Sequence, residues 1–222
     1  LHIPFQTPIE TFSEYAGKID ILQINGDLVD AQAISRFNKV YRKSPMEEIL
    51  IARQYMIDLI EILQPKKVVV NYGNHDLRFQ NYLAKNLDTD LLELMPKTSL
   101  ELIFVDGFNH YNKELHTKVH YDPLTDVFKD SGIEIVYNDT WFSFVGETIF
   151  VHPLAYSSGM LKTAEKAYRY FKDNDYFFDT IVMAHTHKTG HYDIGNSVIY
   201  EQGCCCETSK MDYADGKLTP SQ

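Results

Sequence analysis

The segment Val68–Asp76, which reads Val-Val-Val-Asn-Tyr-Gly-Asn-His-Asp, decides the fold. Its β-branched residues predict a buried strand of a parallel sheet, and the turn that follows puts polar side chains at the strand's carboxyl end. Upstream, Ile19–Ile24 is a second apolar strand that ends at Asn25-Gly26-Asp27. Between the strands, Ser44-Pro45-Met46-Glu47 has the Ser, Pro and Glu of a capped helix start, and apolar residues recur at helical spacing up to Pro65. Strand, helix and strand in this order predict a βαβ unit.

The second half of the chain changes to short strands and hairpins. We predict strands at 133–137, 141–145, 148–151, 180–183, 192–194 and 198–200, and helices at 78–86 and 160–171, the last capped by Ser157 or Ser158. Gly146-Glu147 and Gly195-Asn196 suit hairpin turns. Parallel strands followed by hairpins predict an α/β fold in which two packed mixed β-sheets are flanked by helices. Residues 1–222 are predicted to form a single domain.

Residues 101–124 form a long irregular connection, with a turn signal at Asp106-Gly107. We interpret this stretch as an insertion or cap. Loops of this length in a compact domain are often lids or binding loops, so we expect it to overhang one side of the functional site and limit which substrates enter. A surface elaboration or a dimer contact is the alternative.

The composition bounds the class of protein. The chain has 222 residues, 44% of them hydrophobic, and a net charge of −10, which argues mildly against binding of a nucleic-acid backbone. No run approaches the roughly 18 apolar residues of a membrane span. The three cysteines are consecutive, Cys204–Cys206, a poor disulfide framework, so we expect a reducing, cytoplasmic setting. Packing is the default interpretation of this triplet, and a thiolate metal site is the alternative.

Five of the nine histidines fall in motifs that end apolar, strand-like runs. The motifs are Leu1-His2, Gly26-Asp27 with Asp30, Gly73-Asn74-His75-Asp76, Val151-His152-Pro153 and Ala184-His185-Thr186-His187. Because strand ends converge on one edge of a sheet, these side chains are predicted to meet there. Together they indicate one binuclear metal site.

Each residue type suits a role in such a site. Asp27, on a turn after a glycine, can bridge two cations, and Asn74 offers a neutral carbonyl oxygen. The imidazoles of His152, His185 and His187 suit Mn, Fe, Zn or Ni.

Other residues are candidates for the chemistry around the metals. His75 is a candidate general acid for a leaving alkoxide, with Asp76 orienting its imidazole. Arg78 is placed to clamp a phosphoryl oxygen, although a solvated helix position is equally consistent with the sequence. Asp30 is interpreted as an orienting residue behind the ligands, or as a helix cap.

Two further clusters have simpler interpretations. His110, His116 and His120 could form a third metal site, but a polar surface is favoured. Arg36, Lys39, Arg42 and Lys43 could steer a polyanion, but a solvated helix face is favoured.

In this order, the motifs resemble the calcineurin-like metallophosphoesterase superfamily, whose pattern is D-x-H, G-D-x-x-D, G-N-H-[DE], a lone His and G-H-x-H. The stretch Gly73–Arg78 and the Ser-Ser-Gly at 157–159 further resemble small phosphoesterases of phage and bacterial genomes. The resemblance implies a four-layer αββα sandwich. Ala184 stands where the family has Gly. The family's first Asp would precede His2, and relatives commonly add further strands after the position of Gln222, so we expect the sequence to omit residues at both ends.

The resemblance also implies a ligand set and a reaction. One divalent metal would take His2, Asp27 and His187, and the other Asp27, Asn74, His152 and His185, with Mn the first choice and Fe, Zn, Ni or Mg as alternatives. The implied activity is hydrolysis of phosphomonoesters or phosphodiesters by attack of a metal-bound hydroxide. The substrate is a small molecule or nucleic acid, so a nuclease is one alternative. A non-catalytic scaffold that retains the fold is the other.

Overall fold

A computed structural model describes residues 1–35, 43–95, 97–159 and 161–211 of the chain. Its strands are β1 (Ile21–Asn25), β2 (Lys67–Asn71), β3 (Phe108–Asn112), β4 (Thr117–Tyr121), β5 (Glu134–Asn138), β6 (Phe142–Val145), β7 (Thr148–Val151), β8 (Thr180–Met183), β9 (Thr189–Ile194) and β10 (Ser197–Gln202). Its α-helices are α1 (Pro45–Leu63), α2 (Arg78–Asn86), α3 (Thr89–Leu92), α4 (Ser99–Glu101), α5 (Leu124–Val127) and α6 (Lys162–Asp173). Short 3₁₀ helices span Ile9–Tyr15, Gln32–Ile34 and Thr208–Lys210, and a π-helical turn spans Leu102–Asp106.

The first sheet contains the predicted βαβ unit. Its described strands run in the order β1-β2-β5 and pair in parallel, with Ile24 beside Val70 and Val70 beside Tyr137. The helix α1 crosses between β1 and β2 and starts at the predicted capping box. The Ser44 hydroxyl accepts a hydrogen bond from the Glu47 amide at 3.1 Å, and the Glu47 carboxylate accepts one from the Ser44 amide at 2.7 Å.

The second sheet is mixed and holds five described strands in the order β6-β7-β8-β10-β9. The inner pairs β7-β8 and β8-β10 are parallel, whereas β6-β7 and β9-β10 are antiparallel hairpins. Both hairpins close at the predicted two-residue turns, where Gly146 has φ 59° and Gly195 has φ 57°. These glycines adopt the left-handed conformation that such turns require.

Each sheet buries one face against a helix. Alternate residues Ile24, Val68 and Val70 pack with α1 in one apolar core. Ile149, Ile181 and Ile199 pack with α6 in a second core. The order helix, sheet, sheet, helix confirms the predicted α/β class and its four layers.

The contact between the two sheets is polar. The Asn71 amide donates to Asn25 Oδ1 at 3.0 Å, and Gln23 donates to Asn71 Oδ1 at 2.7 Å. Across the gap, Ser143 on β6 donates to Asn71 Oδ1 at 3.2 Å, and the Asn25 amide donates to the Gln202 side chain on β10 at 3.1 Å. Buried amides bonded in this way fix how one sheet lies on the other.

The stretch 101–124 differs in part from its prediction. The hairpin tip is not at Asp106-Gly107, because Gly107, at φ 68°, ends the π-helical turn and leads into β3. The tip lies at 113–116, where the Asn112 side chain accepts hydrogen bonds from the amides of Glu114 and Leu115. The start of the stretch belongs to the core, since Phe104 is fully buried there.

The cap predicted for α6 is also wrong. Neither Ser157 nor Ser158 caps the helix, whose N-cap residue is Leu161 in the left-handed conformation. Thr163, in the first turn of α6, holds the preceding segment instead: its hydroxyl accepts a hydrogen bond from the Ser157 amide at 2.9 Å. Among the described helices, none is both long and apolar enough to cross a membrane.

Candidate metal centre

The carboxylate of Asp27 lies at the centre of the predicted site. Strand β1 ends at Asn25, and the chain then turns through Gly26 and Asp27 with φ values of 72° and 52°. Asp27 is 3% exposed, and its Oδ2 lies 3.2 Å from His152 Nε2 and 3.6 Å from His2 Nε2. One oxygen therefore reaches imidazoles that approach from two sides, as a bridging carboxylate must.

Two glycines allow this close approach. A Cβ atom on Gly73 would lie 2.2 Å from Asp27 Oδ1, and one on Gly26 would lie 2.6 Å from His152 Nδ1. Neither distance is sterically possible. Gly26 and Gly73 thus let the turns after β1 and β2 meet beside the imidazole of His152.

His2 and His187 form the first half of the cluster. The segment of His2 runs alongside the turn after β1, and its amide donates to the Asp27 carbonyl at 2.9 Å. His2 Nε2 lies 2.8 Å from His187 Nε2, and His2 Nδ1 lies 3.1 Å from Asp30 Oδ1. Ring nitrogens of residues that are 185 positions apart in the chain meet here beside Asp27.

Asn74, His152 and His185 form the second half. His152, which follows β7, places Nε2 3.1 Å from Asn74 Oδ1. His185, which follows β8, places Nδ1 2.7 Å from the same oxygen. All six predicted ligand side chains thus lie together at the carboxyl ends of β1, β2, β7 and β8, the edge of the sheets where the sequence predicts them.

The hydrogen bonds show that this cluster fits a cation. His152 Nδ1 lies 2.8 Å from the Asn25 carbonyl oxygen, which only accepts, so Nδ1 carries the hydrogen and Nε2 of the neutral ring has a lone pair. That lone pair faces Asp27 Oδ2 and Asn74 Oδ1, which are both electron-pair donors. With the ring in that state, three electron-pair donors face one another, and a cation held between them would stabilise the arrangement. Groups formed by His2, Asp27 and His75 and by Asp27, His152 and His185 each have ligand atoms within 4.8 Å of one another.

The electrostatics keep Asp27, His185 and His187 in the form that binds metal, whereas His152 differs: burial lowers its pKa, but the charge of Asp27 outweighs burial and raises that pKa above its ordinary value. Burial lowers the pKa of His185 and of His187 to about 4, so both rings are neutral at pH 7. Burial alone would raise the pKa of Asp27, but the neighbouring imidazoles, His152 first, outweigh it and hold that pKa well below its usual range. Neutral imidazoles and an ionised carboxylate are the states that coordinate divalent metals.

His75 lies at the edge of the cluster, and a carboxylate and a guanidinium bind it. Its Nδ1 lies 2.9 Å from Asp30 Oδ1, and its Nε2 lies 3.0 Å from an Arg78 nitrogen. Because a guanidinium only donates, Nε2 accepts, and the ring hydrogen must be on Nδ1 and point at Asp30. Arg78 also donates to the Asp30 carbonyl at 2.7 Å.

Asp76 does not orient His75, contrary to the sequence-based prediction. Its Oδ2 instead accepts hydrogen bonds from the amides of Asp27 at 2.7 Å and Gly73 at 2.9 Å. The turn after β2 directs Asp76 back into the protein, where it is fully buried and holds the two turns together. Burial, followed by the charge of Asp27, raises the pKa of Asp76 to about 6. The orienting contact belongs to Asp30.

Sequence reasoning missed two residues that shape the site. The Asn25 carbonyl fixes the ring of His152, and no side-chain pattern signals a backbone contact of this kind. Glu48, 1% exposed in the first turn of α1, accepts a 2.5 Å hydrogen bond from the Ala31 amide and so holds the segment that carries Asp30. Its spacing of four from buried Ala52 is the signal that could have revealed it.

The remaining candidates lie apart from this cluster. Cys206 is buried against Phe5 and Met211, which fits the packing interpretation of the cysteine triplet. His120 contacts Asn109 and Asp122 on the hairpin, and no histidine of residues 101–124 enters a candidate metal group among the described residues. Of the basic cluster, Arg36, Lys39 and Arg42 lie outside the described residues.

Two comparisons bear on the identity of the chain. The profile of a family described as calcineurin-like phosphoesterase matches residues 1–189, a span that includes every ligand candidate described above. No curated protein matches the chain significantly.

Proposed function

Since the chain belongs to the calcineurin-like phosphoesterase family, we propose that it hydrolyses phosphoesters at a centre of two divalent cations that share Asp27. The observation that supports two cations is the position of Asp27 Oδ2, 3.6 Å from His2 Nε2 on one side and 3.2 Å from His152 Nε2 on the other. His2 and His187 would hold one cation, and Asn74, His152 and His185 the other. Manganese suits this mixture of imidazole and oxygen ligands.

The protein's own residues would position the substrate and move a proton. When bound, divalent cations polarise phosphoryl oxygens and supply a nucleophile from water at neutral pH. His75 lies beside the cluster, with Nε2 3.9 Å from Asp27 Oδ2, and would donate a proton to the leaving oxygen. Asp30 would hold the imidazole at Nδ1 during that step.

Arg78 has a place in this scheme. In the structure its guanidinium occupies His75 Nε2, the nitrogen that must carry the proton for the leaving group. A phosphoryl oxygen that draws the guanidinium away would free Nε2 for protonation. Substrate binding and activation of the general acid would then be coupled through one side chain.

Metal analysis and an activity panel test this proposal. The protein, loaded with Mn²⁺ and then freed of excess metal, should hold close to two cations per chain. It should hydrolyse at least one substrate of a panel of aryl monoester, aryl diester, cyclic nucleotide, and single- and double-stranded DNA. Activity confined to DNA would identify a nuclease, and two bound cations without any turnover would identify a scaffold. Failure to bind divalent metal would refute the proposed function.

A further inference from the structure

A cavity of about 380 Å³ lies between residues 153–157 and the helix α6. Small-molecule sites typically occupy about 300–1,000 Å³, so this volume suits a ligand the size of one or two rings. Pro153, Leu154 and Tyr156 line one side, and Trp141 and Tyr170 line the other. The rings of Trp141 and Tyr170 lie 5.6 Å apart.

The cavity adjoins the metal centre. Pro153 directly follows the ligand candidate His152 in the chain, and the ring of Tyr156 lies 6.0 Å from the ring of His185 at an angle of 68°. Tyr156 therefore separates the imidazoles from the apolar space. A ligand with its phosphoryl group at the imidazoles can extend past Tyr156 into the cavity.

The walls of the cavity are held in place. The Thr163 hydroxyl accepts a hydrogen bond from the Ser157 amide at 2.9 Å and lies 3.3 Å from the Ser157 carbonyl. This pair ties the loop to the first turn of α6. One turn further along, the small side chain of Ala167 leaves the space open.

The side chains around the cavity are apolar yet exposed. Tyr156 is 60% exposed, Leu154 51% and Tyr170 50%. Large apolar side chains grouped at one opening mark a binding site more often than a random surface. An aromatic wall of this kind can stack against one face of a flat ligand.

Positive charge borders the cavity. The Lys188 ammonium lies 5.9 Å from the centre of the Tyr156 ring and donates to the Ser158 carbonyl at 3.2 Å. Lys166 lies along the wall formed by α6. Aromatic rings beside ammonium groups favour a ligand that is both planar and anionic.

We propose that this cavity binds the planar aromatic part of the alcohol that is esterified to the phosphate, and so selects aryl or nucleoside phosphoesters as substrates. The proposal rests on the proposed function, because the phosphate must lie at the metal centre. It places substrate selection at Tyr156 rather than at the hairpin of β3 and β4. The hairpin's described contacts run instead to α1, where Arg53 donates to the Asp122 carbonyl at 2.8 Å and lies over the Tyr121 ring.

Binding of two phosphonates to the Mn²⁺-loaded protein tests the proposal without turnover. Phenylphosphonate and methylphosphonate have a P–C bond in place of the ester and differ only in the aromatic group. Trp141 is the one tryptophan of the chain and lines the cavity, so its fluorescence reports occupancy. Because stacking on an aromatic side chain strengthens binding substantially, phenylphosphonate should bind about tenfold more tightly than methylphosphonate.

Three variants connect that preference to the cavity. Tyr156→Ala should bring the affinity ratio close to one, and Tyr156→Phe should keep it, because the ring remains. Tyr111→Ala on β3 removes a tyrosine of similar exposure, 50%, from the hairpin and should leave the ratio unchanged. Each of these side chains is largely exposed, so the variants should fold.

The outcomes are separable. Equal affinities in the wild type, or a preference that survives in Tyr156→Ala, would overturn the proposal. A preference lost in Tyr111→Ala would assign selection to the hairpin instead. A protein that binds phenylphosphonate in the cavity but hydrolyses nothing would refute the proposed function and leave this site intact. Among active substrates, a higher kcat/KM for AMP than for ribose 5-phosphate identifies a nucleobase as the aromatic group, and a higher value for phenyl phosphate than for either identifies simple aryl esters.

Discussion

Asp30 Oδ1 lies 2.9 Å from Nδ1 of His75. The same oxygen lies 3.1 Å from Nδ1 of His2, so one carboxylate orients both a metal-ligand candidate and the proposed general acid. Burial would raise the pKa of Asp30, but the hydrogen bonds from His2 and His75 outweigh it and hold that pKa below its usual range. An ionised carboxylate at this position supports the hydrogen-bonding role that Asp76 was expected to play.

Replacing Asp30 by Asn should slow hydrolysis by about 10–100-fold, the usual cost of removing a partner that orients a ligand. The neutral amide no longer holds the two imidazoles by charge. The deficit should be larger for an alkyl ester than for an aryl ester, because only the alkoxide needs a proton as it leaves. Asp130→Asn, at an exposed position, is the control and should retain full activity. An equal deficit for both esters would argue that Asp30 acts on metal binding alone.

His75→Ala should retain both metals while turnover of an alkyl ester falls by about 10²–10⁴-fold, the range of general acid catalysis. Asp27→Asn should lose metal and activity together, because Asp27 reaches both halves of the centre. Metal content and kcat, measured on the same samples, show whether each residue binds metal or acts in catalysis alone. If His75→Ala holds one metal fewer per chain, His75 is a ligand, as its grouping with His2 and Asp27 allows.

Gly73→Ala should abolish metal binding and destabilise the protein. The added Cβ would meet Asp27 Oδ1 at 2.2 Å and the Asp27 amide nitrogen at 2.7 Å, so the turn that carries Asp27 must move. Gly190→Ala is the matched control, since its Cβ would make only an ordinary 3.5 Å contact with Leu161. The temperature of thermal unfolding and the metal content should both fall for Gly73→Ala and stay unchanged for Gly190→Ala. A Gly73→Ala protein with two bound metals would contradict the structure.

Glu48 should make stability depend on pH. Burial, followed by the charge of Asp30, raises the pKa of Glu48 from 4.5 to about 8 in the folded protein. The folded state therefore binds the proton more tightly, and the stability this contributes is complete below pH 4.5 and lost as pH rises through about 8. The stability of Glu48→Gln, whose side chain cannot ionise, should depend less on pH than that of the wild type.

Urea unfolding at pH 5 and pH 9 measures this effect. The free energy of unfolding of Glu48→Gln minus that of the wild type should be larger at pH 9 than at pH 5. Glu61→Gln, at an exposed position of the same helix, is the control: its free energy of unfolding should differ from that of the wild type by the same amount at both pH values. A Glu48→Gln difference that does not vary with pH would mean that Glu48 is ionised throughout.

Elements marked by local chemistry could be predicted from the sequence. The capping box located the start of α1, and the β-branched run located β2, because in both cases the signal is carried by the residues that form the element. The tip of the β3-β4 hairpin could not be located in this way. Its turn depends on the Asn112 side chain, whereas the Asp-Gly pair that resembles a turn ends a helix.

The site shows the same limit. The motifs predicted which side chains meet, because ligands at strand ends converge whatever the details of the loops. They misassigned the contact to His75, because Asp76 is its neighbour in sequence but binds the amides of Asp27 and Gly73 instead. Asp30 reaches His75 across 45 residues, through a loop whose path depends on the buried Glu48.

The hydrogen bonds that link Asn25 to Gln202 and Asn71 to Ser143, from one sheet to the other, have a consequence for the proposed metal binding. Asp27 and Asn74 follow strands of one sheet, while His152 and His185 follow strands of the other. Buried amides lose hydrogen bonds if the sheets slide, so the interior itself holds the two sets of ligands in register. The two sets of ligands are then preorganised. A cation that binds need not supply the free energy to align them, so more of the binding free energy appears as affinity.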